Sequence, residues 1–221
     1  FGLPYYHTGV VVSRPLGGGW TGLAHVYNGW NSVVDNNEYP SVAASLTYAS
    51  KTVPAAQLMY FGGIERATDA PEGQPWRHLF DAYAQVAITD QLSVMAQGDG
   101  GFERNHFGTS GWLAGALYGK LALTPELYVA GRGDLFREWV ASDATGTASS
   151  IFFPTRWIGS FTATFALQPI DTLSVRLEVR HDQAATAVFY GGTVAGDGAT
   201  TPYVPDHRSR DTITLGATAW F

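Results

Sequence analysis

Apolar and polar residues alternate with a period of two along much of the chain. In the segment from Leu173 to Arg180 every odd position is apolar and every even position is polar, which is the pattern of a β-strand with two different faces. The same alternation recurs in the stretches that begin at Leu92, Trp157 and Ile213. The pattern therefore predicts an all-β protein built from many strands.

Turn-forming residues divide the chain into eleven predicted strands. The strands fall at residues 5–14, 20–30, 39–50, 55–65, 77–88, 91–102, 111–122, 127–138, 155–167, 172–183 and 209–221. Short turns near residues 15–18, 51–54, 89–91, 123–126 and 168–171 alternate with polar or glycine-rich loops at 31–38, 66–76, 103–110, 139–154 and 184–207. Around Leu23 and Leu58 the alternation is too irregular to assign the two faces. Short turns at one end and long loops at the other are typical of outer-membrane β-barrels.

These features predict a transmembrane antiparallel up-and-down β-barrel that forms one domain over residues 1–221. Bacterial barrels of this kind have an even number of strands and both termini on the periplasmic side. Eleven strands, of which the last follows a long loop, would begin on the extracellular side. We therefore expect the chain to lack an N-terminal portion and to be part of a larger, even-numbered barrel. A miscounted weak strand is the alternative.

Composition favours a membrane environment over a soluble one. Charged residues make up 14% of the 221 residues, against roughly 25–35% on a soluble surface. Cysteine is absent, which excludes disulfides and cysteine-based metal or haem sites. The net charge of −6 argues against nucleic acid as a partner. A soluble ligand-binding β-barrel has the same period of two, with its faces reversed, and stays open as an alternative.

Aromatic residues cluster near the predicted strand ends, where membrane barrels carry interfacial girdles. We expect one girdle near the long loops and one near the short turns. The last strand ends on Trp220-Phe221, which resembles the C-terminal signal of outer-membrane proteins. The predicted girdle residues are Trp30, Trp76, Phe102, Trp112, Trp139, Phe152 and Trp157 at the long loops, and Trp20, Tyr48, Tyr128 and Trp220 at the short turns.

Short segments spread over the whole chain resemble a known family. They are Pro4–Gly9, Asn28–Asn31 followed by Asp35–Asn37, Trp76–Asp81, Arg132–Phe136, Arg176–Asp182 and Thr212–Gly216. The chain resembles the β-barrel porins of Gram-negative outer membranes that form the OmpL-like group. The resemblance implies an outer-membrane location and passive transport, and supplies no catalytic residue.

Two features of that family bear on this chain. Its members typically carry a further N-terminal half, in line with the expected missing portion. The family often has Asp where Asn31 stands and Glu where Asp134 stands, so roles tied to those carboxylates are not carried over.

If the apolar faces meet lipid, the polar positions of the strands face the lumen. The predicted channel-lining residues are Asp81, Asp99, Lys120, Arg132, Asp134, Arg156, Arg176, Glu178, Arg180 and Arg210. Asp134 lies two residues from Arg132, and Glu178 two residues from Arg176 and Arg180, so these neighbours share a face and can pair. We hypothesise a basic wall on strands seven to eleven that faces a more acidic wall on strands five and six. The alternative is that these charges neutralise one another in a solvated interior.

Other motifs indicate little chemistry. Gly17–Gly22 fits a dinucleotide-binding pattern, but no helix follows, so it predicts a tight turn. Asp35–Glu38 is either a polar loop or a calcium site, and the loop Gly191–Pro202 either folds into the lumen as a constriction or stays mobile. His181-Asp182 lacks a placed nucleophile, and no catalytic residue, metal site or cofactor is predicted.

The sequence thus predicts an outer-membrane porin for passive diffusion of small hydrophilic solutes or ions through a charged lumen. A structural barrel that sheathes or anchors a partner protein, such as an electron-transfer cytochrome, is the first alternative. Membrane lipid is the expected partner. The sequence leaves open whether the protein forms a homo-oligomer.

Overall fold

Eleven antiparallel strands form one sheet in which each strand pairs with its neighbours in the sequence. The computed structural model describes residues 1–34, 37–143, 145–146, 148–191 and 204–220. The strands are β1 Gly9–Gly17, β2 Trp20–Tyr27, β3 Ser41–Tyr48, β4 Ala55–Ile64, β5 Trp76–Ala87, β6 Leu92–Asn105, β7 Gly108–Ala122, β8 Leu127–Trp139, β9 Trp157–Ile170, β10 Leu173–Ala184 and β11 Ser209–Ala219. The predicted all-β, up-and-down architecture is confirmed.

The two faces of the sheet have opposite character. One face, the outer face, exposes large apolar side chains such as Leu117, Phe161 and Ile213. The other, the inner face, buries polar side chains such as Asp81 and Thr162, and loops pack against it. Polar residues inside and apolar residues outside is the arrangement of a membrane barrel and the reverse of a soluble one. Among the described residues, no helix is long and apolar enough to cross a bilayer.

The short turns are built as the sequence predicts. Between β1 and β2 the chain reverses through Gly17, Gly18 and Gly19, all with positive φ, which residues with a side chain rarely adopt. Thr89 Oγ1 accepts hydrogen bonds from the backbone N–H of Gln91 and of Leu92, at 3.2 and 2.9 Å. A threonine hydroxyl bonded to its own turn replaces a backbone interaction and fixes the reversal.

One predicted loop is wrong. The connection expected at residues 103–110 is a two-residue turn at His106 and Phe107, because β6 runs on to Asn105 and β7 begins at Gly108. Asn105 Oδ1 accepts the backbone N–H of Phe107 at 2.9 Å, a turn-forming bond typical of asparagine. Glu103 therefore lies in a strand and not in a loop.

The first strand also differs from its prediction. It begins at Gly9 and not at residue 5, since the preceding segment packs on the inner face. There the Phe1 ring contacts those of Phe136 and Phe153, with centroids 6.4 and 5.6 Å apart. In the described part of the chain, β1 and β11 are the edges of the sheet. The larger barrel remains a prediction.

Candidate functional site

Nine of the ten predicted channel-lining residues lie at inner-face positions of strands. The tenth, Arg156, precedes β9 and continues the alternation of its inner-face positions. The strand register places each of the nine beside inner-face neighbours, Asp81 opposite Asp99 for example. Arg156 is exposed and immediately precedes β9, and Arg210 is exposed on the edge strand β11. Their common placement follows from the period of two. Their role in lining a channel stays a prediction.

Two of the five predicted channel-lining arginines, Arg132 and Arg180, pair with carboxylates. Arg132 Nε lies 2.8 Å from Asp134 Oδ2, as the i,i+2 spacing predicts. Arg180 Nη2 lies 2.8 Å from Asp182 Oδ1, so its close partner is Asp182 and not Glu178. Glu178 instead accepts a long hydrogen bond from the Thr164 hydroxyl, at 3.4 Å. Local ion pairs therefore interrupt the expected basic wall.

The expected acidic wall contains two carboxylates directly opposite each other. Asp81 and Asp99 form a cross-strand pair on β5 and β6, and both are buried. Gln97 Nε2 donates to Asp81 Oδ1 at 2.9 Å, and Trp112 Nε1 donates to Asp99 Oδ1 at 3.2 Å. These neutral donors partly compensate two like charges that would otherwise repel each other.

A buried ion cluster at the long-loop end was not predicted from the sequence. Arg66 donates to Glu103 Oε1 through Nε and Nη2, at 2.9 and 2.7 Å. Arg77 donates to Glu103 Oε2 in the same way, at 2.9 and 2.6 Å. Glu72 adds a second carboxylate 3.2 Å from Arg66 Nη1. Arg77 is four residues from Asp81 and Glu103 four from Asp99, so extending the alternation would have placed both on the inner face.

The β8–β9 loop is fastened to the sheet by a carboxylate. Glu138, on the inner face of β8, accepts the backbone N–H groups of Ile151, Phe152 and Phe153, at 2.5, 3.2 and 3.1 Å. Ser149 adds a second anchor, since its N–H bonds Glu72 and its carbonyl accepts from Arg66 Nη2 at 3.1 Å. The described segment 148–153 therefore forms a strap across the inner face.

The strap carries two phenylalanines into an aromatic plug. We use that name for the cluster of Trp30, Trp112, Phe136, Phe152 and Phe153. The Phe152 ring lies 5.1 Å from Trp112, 5.4 Å from Trp30 and 5.8 Å from Phe136, and Phe153 lies 5.3 Å from Phe136. The contacts of Phe152 with Trp112 and Phe136, and of Phe153 with Phe136, are edge-to-face, and contacts of this kind are favourable beyond their buried area.

Strand β6 accommodates the plug through a glycine. A Cβ added at Gly101 would lie 2.3 Å from the Trp112 ring and 2.1 Å from the His78 carbonyl oxygen. The ring of Trp112 can approach β6 this closely only because residue 101 has no side chain.

Four aromatic residues do not belong to the expected girdles. Trp30, Trp112 and Phe152 are in the plug, and Tyr128 lies on the inner face with Lys120 Nζ 4.2 Å from its ring centre. The girdle prediction failed for them because it used distance from the strand ends and ignored which face a residue is on. On the outer face, residues at girdle positions include Trp76, Phe102, Trp139 and Trp157 at the long-loop end, and Trp20 and Tyr48 at the short turns.

Trp30 is held by its own contacts. Its backbone N–H donates to Glu65 Oε2 at 2.8 Å, and the Arg77 guanidinium lies 4.9 Å from its ring centre. Nearby, the rings of His7, Tyr27 and Phe61 are nearly parallel, with the His7 ring centre 4.4 Å from that of Tyr27 and 5.2 Å from that of Phe61. Burial lowers the pKa of His7, partly offset by its hydrogen bond to the Gly29 carbonyl.

Below the plug two cavities with mixed polar and apolar lining open on the inner face. The first has a volume of about 510 Å³ and reaches from the plug to Asp134 and Arg180. The second has a volume of about 380 Å³ and reaches Lys120 and Glu178 toward the short-turn end. Both cavities are lined by Tyr118 and Arg132, so they adjoin along the strands.

No catalytic arrangement is visible in the part of the chain that the structure describes. His181 does not pair with Asp182 but with Asp211, at 2.8 Å, and this pair lies on the outer face, away from the cavities. Among these residues, no group of three His, Asp or Glu side chains could hold a metal ion. Two sequence hypotheses lie outside the described residues: the calcium loop, through Asp35 and Asn36, and most of the constriction loop, through residues 192–202.

The comparisons with known proteins agree with this geometry. A family described as "Putative beta-barrel porin-2, OmpL-like" matches residues 1–221. Among curated proteins, none matches the sequence. A crystal structure of the NanC porin, in a rhombohedral crystal form, is similar in fold, with a TM-score of 0.50 over 98% of this chain and 93% of that chain, at 12% sequence identity. The family match over residues 1–221, together with a sheet that is apolar on its outer face, shows that the chain belongs to the OmpL-like family of β-barrel porins.

Proposed function

We propose that the protein forms a passive channel across the bacterial outer membrane and that small hydrophilic solutes pass along its inner face. The observation that carries the proposal is the polar lining of the inner face, which runs from the ion cluster at Glu103, past the aromatic plug, to Arg176 near the short turns, opposite an apolar outer face. A polar interior behind a lipid-facing apolar surface is the structural basis of a porin.

The charged side chains of the inner face are more acidic on one side of the passage and more basic on the other. The acidic pair Asp81 and Asp99 lies on β5 and β6, whereas Arg132, Arg176 and Arg180 lie on β8 and β10. Such a field across a narrow pore orients polar solutes and disfavours apolar ones. Because Arg132 and Arg180 are paired with carboxylates, we expect weak ion selectivity.

The plug occupies the inner face at the long-loop end and so narrows the passage there. Segment 148–153 occupies the inner face with the chain's own side chains, which leaves less room there for a sheathed partner protein. The function is therefore diffusion through a constricted channel, with no reaction catalysed. By the usual orientation of bacterial barrels, the long loops face the exterior and the short turns the periplasm.

Planar-bilayer recording of the detergent-purified protein tests the proposal. The protein should add stepwise, ohmic conductance increments in potassium chloride. The same protein denatured by boiling should add none. A folded protein that inserts into the bilayer and never conducts would contradict the proposal.

A further inference from the structure

Two buried oxygen atoms near the middle of the inner face lack a hydrogen-bond partner. They are Oδ1 of Asp134 and Oγ1 of Thr162, and the neighbouring Arg132 Nε also lacks a hydrogen-bond partner, although it lies 2.8 Å from Asp134 Oδ2. The Asp134 side chain is 2% exposed and Thr162 is 5% exposed. Buried polar atoms in proteins nearly always have a partner, so unpaired ones indicate a bound water or ligand that completes them.

The two atoms belong to adjacent positions of one site. Thr162 on β9 pairs in register with Arg132 on β8, and Asp134 follows Arg132 on the same face. Arg132 engages Oδ2 of Asp134, which leaves Oδ1 directed elsewhere. The site also lies where the two cavities adjoin, because Arg132 lines both. Asp134 lines the first cavity, nearer the plug, and Thr162 lines the second, nearer the short turns.

The charges around the site balance each other. The charge of Arg132 is compensated by Asp134 and the charge of Arg180 by Asp182. Lys120 and Glu178, of opposite charge, both line the second cavity. Asp99, which also lines the first cavity, accepts a hydrogen bond from Trp112 Nε1 and lies three strands away from Thr162. Next to the two oxygen atoms the charges therefore balance, which gives little electrostatic preference for an anion or a cation. This balance favours a neutral solute that forms hydrogen bonds.

Hydroxyl groups match the unpaired atoms. A carboxylate oxygen only accepts, whereas a threonine hydroxyl both donates and accepts, so a solute with neighbouring hydroxyls can satisfy both. The rings of Tyr118 and Phe153, which line the cavities, offer apolar surfaces to the C–H face of a sugar ring. Cavities of about 380 and 510 Å³ fall within the usual range for small-molecule sites.

We propose that Asp134 and Thr162 form a binding subsite for neutral polyhydroxy solutes, sugars or polyols, inside the passage. The subsite rests on the proposed function, because a solute reaches it through the lumen. The subsite retains these solutes briefly during passage. Their transport rate therefore saturates with concentration, whereas the rate through a pore without a binding site rises linearly.

Saturation-transfer NMR with glucose, on the full chain in detergent micelles, tests the subsite. Glucose should show a saturable signal. Thr162→Val, nearly isosteric but without the hydroxyl, should raise the half-saturating glucose concentration about fivefold, as loss of one hydrogen bond does. Thr162→Ser should retain binding. Thr218→Val, on the inner-face side of β11 and outside both cavities, is the matched control and should change nothing.

The outcomes separate the subsite from the channel when bilayer conductance is recorded on the same preparations. A conducting wild type without saturable glucose signal, or with equal signals in wild type and Thr162→Val, means that water alone fills the site and overturns the subsite. Saturable glucose binding lost in Thr162→Val, in a protein that does not conduct, supports the subsite and contradicts the channel.

Discussion

Arg77 and Glu103 face each other on β5 and β6, with Nη2 and Oε2 2.6 Å apart and both side chains buried. The other oxygen of the same carboxylate accepts two hydrogen bonds from Arg66, in the β4–β5 loop. One carboxylate thus joins two strands to a long loop. Charge-assisted bonds of this geometry are among the strongest in proteins.

Glu103→Gln should destabilise the folded protein. The change removes the carboxylate that Arg77 binds and leaves Arg66 with Glu72 alone, and breaking a buried pair in this way costs about 3–5 kcal/mol. Urea unfolding in lipid vesicles, followed by tryptophan fluorescence, measures the loss. Glu126→Gln, at an exposed short turn, is the control and should unfold like wild type. Equal stability of the two variants would show that the cluster contributes nothing.

A new arginine should impair folding at one of two adjacent positions on β7 and leave it unchanged at the other. Leu117 is 68% exposed on the outer face, and an arginine on the lipid side near the membrane centre costs about 2–4 kcal/mol. Leu117→Arg should therefore reduce the heat-modifiable, folded band on gels. Ala116→Arg, on the inner face and opposite Asp134, should assemble normally. The reverse result would mean that the two faces have been exchanged.

Glu138→Gln should loosen the strap. The carboxylate accepts three backbone N–H groups, and losing one bond to a charged acceptor weakens the contact by roughly 1.5–3 kcal/mol. The fraction of molecules with a detached strap should rise about tenfold or more. Single-channel records should then show larger conductance steps and more open-channel noise.

Asp90→Asn is the control for the strap, because Asp90 lies in an exposed short turn at the other end of the strands. It should leave conductance and noise unchanged. If the single-channel conductance and noise of Glu138→Gln equalled those of Asp90→Asn, the strap would not limit the passage.

Arg176→Ala combined with Arg180→Ala should shift ion selectivity toward cations. Both side chains lie on the inner face of β10, and removing Arg180 also leaves Asp182 without its cation. The reversal potential in a potassium chloride gradient should move toward the potassium equilibrium potential. Arg137→Ala removes a positive charge from the outer face of β8 and should not move it, so a double variant that behaves like Arg137→Ala would refute a charged lumen.

The sequence predicted what depends on local alternation. The number of strands follows from the alternation together with the turn-forming residues, and the common face of Asp99, Arg132 and Arg180 follows from the period of two. The register between strands, which sets Asp81 opposite Asp99, depends on long-range pairing and was not accessible from the pattern.

The ion cluster and the strap were missed for different physical reasons. Glu103 was placed in a loop, because the polar residues at the end of β6 resemble a loop although they are inner-face strand positions. The strap depends on bonds from Glu138 to backbone groups more than ten residues away, which no local pattern reports. The apolar run Ile151–Phe153 within a polar loop was the available signal.

The central claim is that the inner face lines a water-filled passage and the outer face meets lipid. Because the chain has no cysteine, single cysteines at neighbouring positions of β7 test it directly. Conductance is recorded before and after a charged, water-soluble methanethiosulfonate reagent is added. Ala116→Cys should lose conductance on modification while Leu117→Cys stays unchanged. Block of Leu117→Cys alone, or no change in a modified Ala116→Cys channel, would contradict the claim.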